Sequence, residues 1–450
     1  MIKLKARLQC WQPFDEQQIR EMNNIFSNVS EQKSMFKLIW LFFKWLLLLQ
    51  IVFILFVIIS AWLPNAGIRK NITKSLPSVI KEGDYPEPMI KKRKHGLDYS
   101  MDAFTMNIIF STDNDNPLKS AILASSRHSD LPDKSKWEQL KFSIENESTE
   151  VNLNYPRYWH GGTSLFRIFF LFVDFDGVKS AIYLLTSFLF VILGLLLFQK
   201  STWSETLLFF LGLIFVNLYI SQFSMQFSPV LIISLVASIL LLNLKTTDFT
   251  KSLVVFLVAG AATSFMDLLT TPLLTFGLPA LIWIHISTNS ELRNRFKKLI
   301  LLGVFWFGAY TLTWFTKWVI TALVTDFPIF SNVFTEVLYV TNAASSNLLT
   351  PLIININQLP LVLINIIFLI QLLLLLFFFN PKGVDNAILY IVVAIIPFLW
   401  YLIMSDHSVR HYWFTYRTLS ISLIGIFLTF NALLDKERLI GWINKLRLLP

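Results

Sequence analysis

The strongest constraint in this chain is a series of long apolar runs. A helix that crosses the hydrocarbon of a bilayer needs about 20 apolar residues. Ten stretches approach that length: 36–62, 179–198, 205–222, 228–244, 252–267, 272–288, 299–323, 359–379, 386–404 and 415–434. Of the 450 residues, 54% are hydrophobic and only 15% charged, and the chain holds 42 Phe and 14 Trp. A soluble fold of this length could not hide so much apolar surface, so the chain belongs in a membrane. The expected fold is all-α and polytopic, with about ten transmembrane helices and a large first extracytoplasmic loop carrying short surface-lying helices.

Charge then orients the runs. With a cytoplasmic N-terminus, the inner connections carry Lys200, Lys245, Lys251, Arg293, Arg295, Lys297, Lys298 and Lys382, and the tail adds Lys436, Arg438, Lys445 and Arg447. The outer connections 222–228, 267–272 and 325–358 hold no Lys or Arg, as the positive-inside rule requires. The reading divides the chain into a cytoplasmic leader (1–35), a first span (36–62), an extracytoplasmic loop (63–178), a bundle of about nine helices (179–434) and a cytoplasmic tail (435–450). It is a multi-pass protein of the cell membrane with both termini inside. The first run lacks a small-residue cleavage site and reads as a retained anchor. The single cysteine, Cys10, lies in the leader and excludes an intramolecular disulfide. The net charge of +9 sits mostly in loops and tails, where it sets topology, so no nucleic-acid partner is expected.

Within the long loop, "SLPSVIKEGDYPEPMIKKRKHG" reads as irregular, being rich in Pro, Gly and charge. "DAFTMNIIF" predicts a short amphipathic helix with Asp102 in its first turn, and 164–177 a helix lying along the membrane surface. No repeat of 20 to 50 residues is present, which argues against a solenoid.

Several groups could carry chemistry. Asp98 and Asp102 are four residues apart, a spacing that stacks both carboxylates on one helix face and raises the pKa of one of them. One ionised carboxylate at a water–lipid boundary suits a general base; the structural alternative is a pair of capping aspartates. Asp113 and Asp115 alternate with asparagines but lack the rest of a calcium loop, and read as a turn before a helix. "YPRYWHGG" (155–162) places Arg157, Tyr158 and His160 at the lip of the bilayer, with Arg167 close behind. The aromatics suit an interfacial belt, while the cations suit an anionic lipid head group. "SDHSVRHYWFTYR" (405–417) repeats this grammar with His407, Arg410, His411 and Arg417 on the side the charge bias disfavours, so an anionic substrate is the natural partner. The competing reading is cation–π and interfacial contacts holding a loop down. Asp267 and Lys317 lie at membrane depth and suggest either a functional pair or a structural one.

The strings "LDYSMDAFTMNI", "YPRYWHGGTSLFR", "SFMDLLTTPLLTFGLP" and "HSVRHYWFTYR" resemble a family of multi-spanning proteins of Gram-positive bacteria, similar in architecture to the GT-C glycosyltransferases. The motifs cover about an eighth of the chain. The resemblance implies a polyprenyl-phosphate sugar donor, a cell-surface glycan or lipid acceptor, and surrounding membrane lipids. It implies Asp102 or Asp98 as the base, and Arg157, His160, Arg410, His411 and Arg417 neutralising the departing phosphate. In many GT-C enzymes the acidic residue follows the first span closely, whereas some 35 residues separate Pro64 from Asp98 here.

The leading expectation is therefore a glycosyltransferase of the outer face that serves the cell envelope. The alternative is a transporter or flippase of a lipid-linked precursor, coupled through Asp267 and Lys317. A third reading is a non-catalytic envelope scaffold. There is no nucleotide-phosphate loop and no H-E-x-x-H zinc motif. No cofactor is assigned beyond a divalent cation that could bridge Asp102 and a carrier phosphate.

Overall fold

Each apolar run is built of helix in the computed structural model, which describes residues 16–85, 97–131, 133–146, 151–244, 248–288, 290–341 and 349–447. A first long helix, α1 (Glu16–Trp62), leads into five helices of the following connection: α2 (Asn65–Glu82), α3 (Tyr99–Phe110), α4 (Pro117–Leu123), α5 (Lys136–Glu145) and α6 (Gly161–Phe170). The bundle continues with α7 (Phe175–Lys200), α8 (Trp203–Phe215), α9 (Ser228–Asn243), α10 (Phe249–Met266), α11 (Leu274–Ile286) and α12 (Leu292–Val324). After α13 (Ile329–Thr341) and α14 (Thr350–Ile356) come α15 (Leu361–Phe378) and α16 (Val384–Ile403). Two short helices, α17 (Ser405–Arg410) and α18 (Tyr412–Thr415), precede α19 (Ser420–Ala432) and the terminal α20 (Lys436–Arg447). Among the described residues, β-pairing is limited to two isolated bridges.

Seven helical segments among the described residues are long and apolar enough to cross a membrane: Met35–Trp62, α7, α10, α12, α15, Pro381–Ile403 and Tyr412–Ala432. The chain is thus an all-α polytopic membrane protein. The other three expected spans are shorter apolar helices, α8, α9 and α11. The run at 205–222 is not one helix, because Asn217 takes a left-handed φ of 50° and residues 218–223 continue as a 3-10 helix.

Small residues set the closest crossings. A Cβ on Gly260 of α10 would lie 2.1 Å from the Trp306 carbonyl oxygen of α12, so only hydrogen fits there. Thr275 of α11 accepts from Thr263 of α10 at 2.7 Å and from the Trp306 indole of α12 at 2.9 Å, tying three helices by buried polar contacts.

The connection between α1 and α7 is more ordered than its composition predicts. Ile68, Ile72, Ser75 and Val79 recur at helical spacing and bury one face of α2, so the stretch read as irregular is helical through Glu82; residues 86–96, with "KKRKHG", lie outside the described ones. All of α3 except Met101 is buried, so α3 is enclosed and not surface-lying. The helix read over 164–177 spans 161–170 instead, and the Asp174 carboxylate caps the start of α7 by accepting the Gly177 N–H at 3.1 Å. These helices gather over the C-terminal ends of α1, α10 and α12, with α13, α14, α17 and α18 beside them. We call this the loop-rich end.

Candidate functional site

The motif "YPRYWHGG" proves to be a packing joint. His160 stands at a left-handed φ of 59° before α6, and its ring nitrogens meet the Tyr155 carbonyl at 2.8 Å and the Thr163 hydroxyl at 3.3 Å. Burial pushes its imidazole down to about 3, so it stays neutral. A Cβ on Gly161 would sit 2.4 Å from the Phe265 ring, which is why glycine is needed where α6 meets α10. Arg167 donates to the carbonyls of Ser60 (2.9 Å), Ile109 (2.9 Å) and Leu63 (2.8 Å), and so caps the C-terminal turns of α1 and α3. Tyr158 is buried between Tyr155 and Trp314. Arg157 lies over the Tyr155 ring and meets Asn332 and Glu336 of α13, both at 3.3 Å. The expectation that His160 and Arg167 face a phosphate is corrected: their donors are taken by the protein's own backbone and side chains.

The suggested pair of Asp267 and Lys317 is also corrected. The Asp267 carboxylate accepts from the Thr270 N–H at 3.0 Å and its hydroxyl at 2.6 Å, holding a loop in which Leu269 has a φ of 65°. Lys317 donates instead to the Ile122 carbonyl at 2.5 Å and lies over the Trp159 ring. A buried carboxylate and a buried ammonium each find a local partner, and no ion pair joins them.

The segment 405–420 is different in kind. Arg410 donates to Asp406 at 2.6 Å and covers the Tyr339 ring of α13, with half of its side chain exposed. His407 bonds to the backbone of Leu269, and burial pushes its imidazole down to about 3; its Nε2 has no hydrogen-bond partner. His411 stacks on Phe414 at 5.3 Å, and burial lowers its pKa as well. Burial therefore disfavours the charged form of both histidines, which the sequence reading placed among the cations beside an anionic substrate. Arg417, only 1% exposed, has Nε, Nη1 and Nη2 all buried without a well-directed hydrogen bond. Its guanidinium lies 4.9 Å from the centre of the Phe227 ring, with the Tyr416 phenol close by. Gln226 Oε1, Ser408 Oγ and Ser420 Oγ are likewise buried and unmatched. Buried polar groups are normally satisfied, so each of these atoms calls for a partner.

The two carboxylates of α3 reach this segment by different routes. Asp102 is fully buried and accepts from Gln226 N (3.0 Å), Met225 N (3.1 Å) and the Ser224 hydroxyl (3.2 Å). It thereby fixes the loop that presents Phe227 to Arg417. Three of its four or so acceptor sites are thereby taken, and among the described residues no cluster of three or more His, Cys, Asp or Glu is placed for a metal. Asp98 caps α3 by accepting only the Met101 N–H, at 3.0 Å. Burial pushes its carboxyl up to about 7, helped by the nearby charge of Asp84. Beside it, Tyr85 bonds to Ser100 and meets the Trp413 ring at 5.7 Å, and Trp413 in turn meets Phe227 at 6.2 Å. Asp98, Tyr85, Trp413, Phe227 and Arg417 thus form one contiguous group. Arg157, Tyr158, His160 and Arg167 are not part of it. Sequence reading missed Tyr85 and the loop 224–227; the loop's one signal is Pro229 in the first turn of α9.

Fold and site together define an all-α polytopic membrane protein in which a chain of aromatic side chains links an acidic and a cationic group at the loop-rich end. The chain matches no family model, no curated protein and no solved structure.

Proposed function

We propose that this protein is a GT-C-like membrane glycosyltransferase of the cell envelope, taking sugar from a polyprenyl-phosphate carrier at the loop-rich end, with that end facing outward and both termini cytoplasmic. The observation that carries the reading is the buried Arg417, which meets the Tyr416 phenol and the Phe227 ring but, among the described residues, forms no ion pair. A guanidinium at such a depth with no carboxylate to neutralise it is destabilising, and an anionic phosphate is the ligand that best completes it. In this reading Asp98 takes the proton of the acceptor hydroxyl as its oxygen attacks the anomeric carbon. The bond from that carbon to the phosphate oxygen breaks, and its electron pair leaves with the polyprenyl phosphate beside Arg417. Asp102 positions the loop and touches no substrate. The transporter reading rested on coupling between Asp267 and Lys317, and those residues are tied separately.

The test is sugar transfer by purified protein in detergent, from a panel of polyprenyl-phosphate sugars to envelope extract. Asp98→Asn keeps the helix cap and removes the base, so transfer falls roughly 10²- to 10⁴-fold. Full activity in that variant removes Asp98 from the chemistry; no transfer by the wild type from any donor overturns the proposal.

A further inference from the structure

At the end of the bundle opposite the candidate site, α20 leaves an apolar groove against α15. The start of α20 is pinned: the Asp435 N–H donates to the Phe378 carbonyl at 2.7 Å, and the Asn380 N–H to the Leu433 carbonyl at 2.7 Å. Lys436 then binds Glu205 of α8 at 3.1 Å. Beyond this joint, α20 touches α15 through Trp442 and Phe378, whose rings are 5.9 Å apart. Between the two helices lies a cavity of about 770 Å³, walled by Leu373 and Phe377 of α15 and Trp442 of α20, with Arg438 and Lys445 at its margin. Among the described residues no carboxylate lines it. A Cβ on Gly441 would meet nothing within 4 Å, so the groove is open above that residue. Of the residues of α15, only Ile364 and Phe378 are buried by protein, which leaves the helix to be covered by something else.

We infer that this groove is a binding site for an anionic phospholipid of the surrounding leaflet, its acyl chain against α15 and its phosphate between Arg438 and Lys445. The chemistry fits on three counts. The walls are hydrocarbon, the rim carries two cations and, among the described residues, no anion, and the end of a membrane-spanning helix places that rim at head-group depth. A zwitterionic lipid would gain the apolar contact but not the charge.

The test is native mass spectrometry of the full chain after exchange into mixed micelles of phosphatidylglycerol and phosphatidylcholine in equal amounts. Wild type retains phosphatidylglycerol preferentially. Arg438→Gln with Lys445→Gln lowers that retention, by roughly fivefold for each cation removed. Gly441→Leu, whose Cβ meets nothing within 4 Å, puts a side chain into the groove, favours the helix, and lowers retention of both lipids. Equal retention of the two lipids by wild type, or unchanged phosphatidylglycerol retention in either variant, overturns the assignment. A lipid-free dimer that Gly441→Leu converts to monomer also overturns it, assigning the groove to a second copy of the chain.

Discussion

At the scale of single residues, Asp98 and Asp102 are separated by what their oxygens already hold. Asp102 accepts from three donors in full burial, so Asp102→Asn sets an NH2 group against the Met225 amide while its remaining oxygen still accepts from Gln226 and Ser224. We predict a loss of about 1 to 3 kcal/mol, read as a lower unfolding midpoint in detergent. Asp98→Asn leaves that midpoint nearly unchanged, because asparagine caps as well as aspartate. The pH dependence follows from the raised Asp98 carboxyl. With a folded pKa of about 7 against an ordinary 3.8, the fold favours the protonated form, so the stability it contributes is full at low pH and is withdrawn as pH climbs from about 4 to about 7. A base must be ionised, so transfer rises over the upper part of that range. A rate that falls with pH from 6 to 8 in the wild type contradicts Asp98 as the base. The presence of cations in 155–167 and 405–417 was legible in the sequence, but which of them are free was not. The acceptors that occupy Arg167 and His160 are main-chain carbonyls of Ser60, Leu63, Ile109 and Tyr155, and a carbonyl leaves no residue signature.

At the scale of elements, close helix crossings depend on single hydrogens. Gly260→Ala forces α10 from α12 at the Trp306 carbonyl, and we predict about 1 to 3 kcal/mol of destabilisation, measured by thermal unfolding in detergent. Gly441→Ala, with open space around it in α20, serves as the control that is not destabilised. The spans were readable because hydrocarbon imposes a length and an apolar composition on each of them. The connection from 63 to 178 was not readable in that way. Its helices bury against one another and not against lipid, so α2 hides its apolar face behind Lys, Pro and Ser, while α3 is enclosed despite an amphipathic-looking sequence. The break at Asn217, which ends α8 early, depends on one left-handed residue inside an apolar run.

At the scale of the whole molecule, the proposal needs the loop-rich end outside the cell and Arg417 engaged with a phosphate. The first requirement is checked in a Cys10→Ser background with an impermeant maleimide: Asp130→Cys is labelled in intact cells, and Glu291→Cys only after permeabilisation. The reverse pattern places the candidate site inside and removes the envelope reading. The second requirement reaches the central claim most directly. Binding of a polyprenyl phosphate to the purified protein, titrated in detergent, is predicted to weaken at least about tenfold in Arg417→Gln, the loss of one charge-assisted contact, while Arg167→Gln, once shown to be folded, binds as the wild type does. Equal affinity of the wild type and Arg417→Gln would contradict the assignment of Arg417 to the carrier.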